Sequence, residues 1–275
     1  MTYENLGQGA LDYFPCRYGK SKLLFRGPRK KMAGEFIAMI GGTETYGKFI
    51  EKPFPTLVSE AMEIECVNFG CVTAGVDVFA NEMPVIEACS KARVTVIQAI
   101  GAQNMSNRFY AVHPRRNDRF LRASTLMKTI FREVDFTDFS FTKHLLTTLQ
   151  TLSEERFSIV RDELKEAWIA RMKLLLDKIE GKTILLWFAD HQPKEGAPKE
   201  GLGGDPIFVD RRMIEEIRPY VTEVVEVVPS DAALAQGTEG MVFSPMEKPA
   251  AQELMGPAAH AEAAQALLRP LSQMI

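Results

Sequence analysis

At 275 residues and 46% hydrophobic content, the chain has the material for one large domain with a substantial core, which excludes global disorder. Lys+Arg 33 against Asp+Glu 36 leaves a formal charge of -3, which excludes a general electrostatic affinity for nucleic acid. No stretch approaches the roughly 20 apolar residues of a membrane span, and Met1 to Gly7 has neither the basic nor the apolar region of an export signal, so a cytoplasmic protein is expected.

Residues 1–34 form a composition zone of their own. Arg17, Lys20, Lys22, Arg26, Arg29, Lys30 and Lys31 fall in a stretch, Phe14 to Gly34, that has no acidic residue. The zone reads as a basic N-terminal arm or an anion-facing edge, with a solvated basic face as the alternative. From residue 35 to 275 the pattern is that of a single α/β domain. Short apolar runs at Phe36 to Ile40, Ile64 to Asn68, Val94 to Ile100 and Ile184 to Phe188 lack polar alternation, as strands covered on both faces do. An alternating fifth run spans Val221 to Val228. Helical segments between them predict right-handed crossovers, a mostly parallel sheet and a three-layer α/β/α arrangement.

Between the third and fourth runs, about 105–180, the chain is too long for a simple crossover, and a helical elaboration is expected. Its clearest helix spans Ser153 to Ile179, with Phe157, Val160, Leu164, Trp168, Met172 and Leu175 on one face and Gly181 stopping it. The aromatic stretch Val134 to Phe141 fits a lid, a homo-oligomer surface or extra packing on one sheet face. After the fourth run, the glycine-rich stretch Lys194 to Gly204 reads as a mobile loop.

Ligands of open parallel sheets bind beyond the carboxyl ends of the strands. The residues there are Gly41-Gly42-Thr43-Glu44-Thr45-Tyr46-Gly47, then Asn68 to Gly75, then Gly101-Ala102-Gln103-Asn104, then Asp190-His191. Glycines at such turns allow positive φ and let backbone N–H groups come close to a ligand. Just after the third turn, His113, Arg115, Arg116 and Arg119 concentrate cations. Arginine forks suit phosphate, sulfate or carboxylate, which points to an anionic donor or substrate; a helix start salt-bridged through Asp118 is the alternative. Cys16, Cys66, Cys71 and Cys89 form no C-x-x-C pair and have no histidines at zinc spacing, so reduced thiols and no metal site are expected. No phosphate-loop or dinucleotide fingerprint occurs, so no cofactor is expected.

The block Gly41 to Gly47 resembles the G-D-S-x-T-x-G block of the SGNH or GDSL-type hydrolases and acyltransferases. Asn68-Phe69-Gly70 is similar to that family's N-x-G turn, Gly101 to Asn104 to its G-x-N-D block, and Pro257-Ala258-Ala259-His260 to its D-x-x-H. The resemblance implies an SGNH- or flavodoxin-like fold and an esterase or acyltransferase acting on an acylated, polysaccharide- or otherwise carbohydrate-related small molecule. It implies Thr43 as nucleophile, Gly42, Gly70, Gly75 and Gln103 around the oxyanion and His260 as base. Thr43 replaces the family's Ser, Gln103 its Asn and Pro257 its Asp; Asn104 stands ready for Gln103 if the turn shifts. His191 beside Asp190 is a second candidate base, and Thr43 as a turn-capping hydroxyl is the structural alternative. Sulfuryl or phosphoryl transfer on the His113 to Arg119 cluster, and anion binding without catalysis, remain as rival readings.

Overall fold

A computed structural model describes residues 11–196 and 201–275. Residues 1–10 of the expected arm and 197–200 of the expected glycine loop lie outside the described residues. In chain order the elements are β1 (Phe36–Ile40), α1 (Thr43–Tyr46), α2 (Phe54–Met62), β2 (Glu65–Asn68), α3 (Val76–Ala80), α4 (Met83–Lys91) and β3 (Val94–Gln98). There follow β4 (Tyr110–His113), β5 (Arg116–Ala123), α5 (Thr125–Ile130), α6 (Thr142–Leu152), α7 (Glu154–Lys178), β6 (Lys182–Phe188), α8 (Arg211–Ile217), β7 (Glu223–Val227), α9 (Asp231–Ala235), α10 (Lys248–Ala251) and α11 (Pro257–Met274).

The main sheet has the order β2-β1-β3-β6-β7, and every neighbouring pair is parallel. The three central strands, β1, β3 and β6, are apolar or fully buried along almost their whole length because both of their faces are covered. Phe36, Ala38, Ile40, Ile97, Leu185 and Trp187 pack against α3, α4, α7 and α8. Ile37, Met39, Val94, Val96, Ile184 and Leu186 pack against Phe54 and Val58 of α2 and Ala263, Leu267 and Leu271 of α11. The result is the expected three layers.

Residues 105–180 are less helical than expected, because β4 and β5 form an antiparallel hairpin there, with register shifts around Val112. The long helix appears as α7, with Ser153 capping it through the Arg156 amide. It ends at Ile179 in extended backbone, so Gly181, at φ +100, follows the end without serving as its cap. Trp168 of α7 is fully buried, and its Nε1 donates to the Ile100 carbonyl at 2.7 Å, which fixes the helix over the carboxyl end of β3. The basic zone, as far as it is described, is docked rather than free: Tyr18 and Phe25 are buried against Phe69. Arg26 lies over the Tyr13 ring and donates to the Gly47 carbonyl at 2.6 Å and the Glu51 carbonyl at 2.7 Å, clamping the turn that follows β1.

Candidate active-site cleft

Gln98, the last residue of β3, builds the turn after β1. Its buried Oε1 accepts from the Gly42 amide at 3.1 Å, the Thr45 amide at 3.2 Å and the Thr45 hydroxyl at 2.6 Å. That one carbonyl oxygen satisfies donors that a strand-to-helix turn leaves without partners. The turn glycines serve close packing. A Cβ at Gly70 would overlap the Tyr46 amide nitrogen, and one at Gly75 the Asn104 carbonyl oxygen. Of the glycines in these turns only Gly47 has positive φ, +72.

Thr43 opens α1 at the carboxyl end of β1. The cap of α1 is Gly42 with no side-chain hydrogen bond, so the Thr43 hydroxyl does not serve as a turn cap. It instead accepts the Thr73 amide at 3.0 Å, across from the turn that follows β2. Among the described residues its hydroxyl proton and its own amide have no protein acceptor.

The two histidines occupy opposite situations. His260, on α11, is fully buried between Phe54 and Phe188, stacked on the first at 5.9 Å and edge-on to the second at 5.4 Å. Its Nδ1 accepts the Phe54 amide at 3.2 Å, so the neutral ring carries its proton on Nε2. That nitrogen lies 3.3 Å from Glu44 Oε2 without the alignment of a hydrogen bond, and the other Glu44 oxygen accepts the Met255 amide at 3.1 Å. His260 is therefore closed off from any ligand. His191, after β6, is partly exposed and pairs through Nδ1 with Asp190 Oδ1 at 2.6 Å, its ring edge-on to Trp187 at 5.6 Å. With Nδ1–H on Asp190, the Nε2 lone pair has no hydrogen-bond partner among the described residues, the arrangement of an oriented base.

The expected oxyanion donors are largely committed. Gly42 N–H goes to Gln98, Gly70 N–H to Asn68 Oδ1 at 2.8 Å and Gly75 N–H to Asn117 Oδ1 at 3.1 Å. Asn104 gives its amide to the Thr73 carbonyl at 3.1 Å and accepts the Thr142 hydroxyl at 2.6 Å. Gln103 differs: its Oε1 is buried with no hydrogen-bond partner, while its backbone carbonyl accepts the Tyr110 hydroxyl at 2.6 Å.

The cation cluster lies on the β4–β5 hairpin, not at a helix start. His113 Nδ1 accepts the Arg115 and Arg116 amides, each at 3.2 Å, and so shapes the hairpin turn. Arg115 and Arg116 are exposed and make no ion pair among the described residues; Asp118 pairs with none of the arginines, and its Oδ1 is buried without a partner. Arg119 stacks on Phe141 at 4.0 Å, away from the tip.

Two further acidic residues lie beside these turns. Glu44 is held as described, and Asp205 sits in the loop after β6. That loop docks on the turn after β3 through the Ala102 amide, which donates to the Ile207 carbonyl at 2.9 Å. Asp205 keeps solvent exposure, yet protein surrounds it densely enough that desolvation raises its carboxyl above the usual range. The Ile207 N–H at 3.2 Å opposes the rise, and the Glu44 carboxylate adds to it. Burial pushes the Cys66, Cys71 and Cys89 thiols up to about 12, which removes them as nucleophiles. No group of three or more metal-ligating side chains occurs among the described residues, and none of their helices is long and apolar enough to cross a membrane.

No curated protein matches the chain. One similar solved structure is a carbohydrate esterase family 2 enzyme with a carbohydrate-binding domain from Corynascus thermopiles (Myceliophthora fergusii), 10% identical over 90% of this chain and 69% of that one, TM-score 0.42. Another is a protein assigned to the lipolytic G-D-S-L family from Desulfitobacterium hafniense DCB-2, 14% identical over 86% of this chain and 99% of that one, TM-score 0.35. Both TM-scores lie below 0.5, so the reading of the cleft rests on its own geometry. The model of one family matches residues 1–275, and the chain accordingly belongs to the family described as a domain of unknown function, DUF6473.

Proposed function

We propose that the cleft over the carboxyl ends of β1, β3 and β6 transfers or hydrolyses an acyl group, with Thr43 as nucleophile and His191 as its base. The supporting observation is the Thr43 hydroxyl: the Thr73 amide fixes its oxygen, while its proton is directed at no described protein acceptor. The Asp190–His191 pair supplies a lone pair on Nε2 to receive that proton. β3 stands between β1 and β6, so two strand spacings, about 10 Å, separate the strand ends. On this reading bridging waters carry the proton from Thr43 to His191 across that span. The free Thr43 amide would face the oxyanion. The resemblance of Gly41 to Gly47 to the G-D-S-x-T-x-G block is what favours an acylated, carbohydrate-related substrate.

Anion binding without turnover, or transfer of a sulfuryl or phosphoryl group, is the second reading. It is favoured by the commitment of the Gly42, Gly70 and Gly75 amides to protein acceptors and by the unpaired Arg115 and Arg116. One set of variants separates the two. On a panel of short-chain acyl esters, Thr43→Ala should lower turnover by about 10³-fold or more with unfolding little changed, and Thr43→Ser should retain it. Equal rates for wild type and Thr43→Ala retire the acyl reading. Calorimetric binding of phosphoadenosine phosphosulfate that vanishes in Arg115→Ala/Arg116→Ala would then establish the second.

A further inference from the structure

The residue that fixes the Thr43 oxygen is held against its own backbone preference. Thr73 has φ +55, and among the described residues it is the one β-branched side chain in the left-handed region. A Cβ bearing two heavy atoms crowds the backbone there, so threonine is strained where glycine or asparagine is not. The Ala74 amide donates to the Cys71 carbonyl at 3.2 Å, which closes a turn with Thr73 in its third position. Positive φ at that position without positive φ at Val72 is the type II form, which favours glycine or asparagine where Thr73 stands.

Contacts from outside the turn sustain this angle. The Cys71 amide donates to the Gly41 carbonyl at 3.0 Å and the Gly75 amide to Asn117 Oδ1 at 3.1 Å, which fixes the flanks. Thr73 itself is held on both sides of its φ torsion. Its N–H donates to Thr43 Oγ1 at 3.0 Å, and its carbonyl accepts Asn104 Nδ2 at 3.1 Å. A change in φ swings these two groups relative to each other, so holding both locks the strained angle. Asn104 is fixed in turn by Thr142 of α6, whose hydroxyl donates to Asn104 Oδ1 at 2.6 Å. The Asp118 carbonyl is the farther acceptor for that hydroxyl, at 3.4 Å. Asn104 and Thr142 are only 7% and 1% exposed, so water competes little for these bonds.

Resting on the acyl-transfer reading, we infer that Thr142 and Asn104 are positioning residues for the nucleophile, a buried relay that keeps Thr73 strained and its N–H on Thr43 Oγ1. The relay has to act on the carbonyl side of Thr73, because the oxygen on the N–H side is the one that changes partners when it attacks the acyl carbon. Strain of this kind persists only where the surroundings over-determine it. Without the Asn104 bond Thr73 relaxes towards negative φ and its N–H leaves the nucleophile. The segment inserted between β3 and β6 thereby reaches Thr43 through a side chain of its own, Thr142.

Kinetics on 4-nitrophenyl acetate separate positioning from packing. Thr142→Val removes the hydroxyl and keeps the shape; it should lower kcat by about 10- to 100-fold with KM within about threefold, and Thr142→Ser should recover most of the loss. Thr142→Ala removes the same bond with a smaller side chain and should lose at least as much in kcat. Glycine adopts left-handed φ without strain, so Thr73→Gly should raise the melting temperature by about 2–4 °C. In that background Thr142→Val should lower kcat by less than about threefold, because the angle no longer needs holding. Thermal unfolding of each variant checks that it is folded at the assay temperature. Wild-type kcat in Thr142→Val and Thr142→Ala, or the same loss in both backgrounds, overturns the relay, while an inactive Thr43→Ala keeps the acyl reading. A wild type that turns over no ester overturns that reading and the relay with it.

Discussion

Replacing His260 with alanine should damage the fold, whereas replacing His191 with alanine should damage only the chemistry. His260→Ala leaves the buried Phe54 amide without its acceptor, a loss of about 1–3 kcal/mol. It also removes the ring that contacts Phe54 and Phe188, each contact worth about 0.5–1.5 kcal/mol. The sum is about 2–6 kcal/mol, and at roughly 2–4 °C per kcal/mol the melting temperature should fall by about 4–24 °C. His191 is partly exposed and paired with an exposed carboxylate, so His191→Ala should cost less than about 1 kcal/mol. Differential scanning calorimetry of both variants, alongside ester turnover, reads the contrast directly. A His260→Ala protein that melts like the wild type yet turns nothing over would refute the assignment of His260 to structure, and a His191→Ala protein with full activity would refute the base.

Two other outcomes follow from contacts described above. Arg26→Ala should destabilise by about 2–3 kcal/mol in urea unfolding, because carbonyls of Gly47 and Glu51 lose a charged donor and the turn bearing Thr43 loosens. Arg26→Lys should not rescue it, since a single ammonium cannot bridge both; rescue would show that charge alone holds the turn. Asp205 has a carboxyl raised above its unfolded value, so the folded protein binds that proton more tightly than the unfolded chain does. The stability it contributes is complete below the unfolded pKa and is lost as pH rises through the folded one. Asp205→Asn should therefore be more stable than wild type at neutral pH, with the gap closing towards pH ~4. A gap independent of pH between the two proteins would show that Asp205 titrates normally.

The parallel sheet is legible because its central strands are buried on both faces and so read as unbroken apolar runs. β4 and β5 are not. Arg116 to Arg122 is mostly charged or polar, and the register shifts around Val112 break the alternation by which a hairpin is recognised. Glycines mark the turns after β1, β2 and β3 in the sequence, but most of them serve close backbone approach, not positive φ. Two residues that build the turn after β1 stand outside the motif blocks. Gln98 is a lone polar residue closing an apolar run, a signal that was available. Arg26 reaches the turn after β1 from 20 residues away in sequence, and nothing in local pattern reports such a contact. The histidines could not be ranked, because burial separates them and neither spacing nor composition measures burial.

β3 and β6 lie side by side in the sheet, although Gln98 and Lys182 are separated by the hairpin, α5, α6 and α7. Closing a loop costs entropy only logarithmically, about 0.6 kcal/mol for each doubling of length. Enlarging an ordinary crossover of ~20 residues fourfold thus adds about 1.2 kcal/mol, less than full burial of a single leucine returns. The inserted segment buries Leu145, Leu149, Phe157, Val160, Leu164 and Trp168, many times what that closure demands. Chain entropy therefore places almost no ceiling on how large this covering can grow. The covering can therefore lengthen at little entropic cost while β1, β3 and β6 keep their places, provided that α7 still closes one face of the sheet.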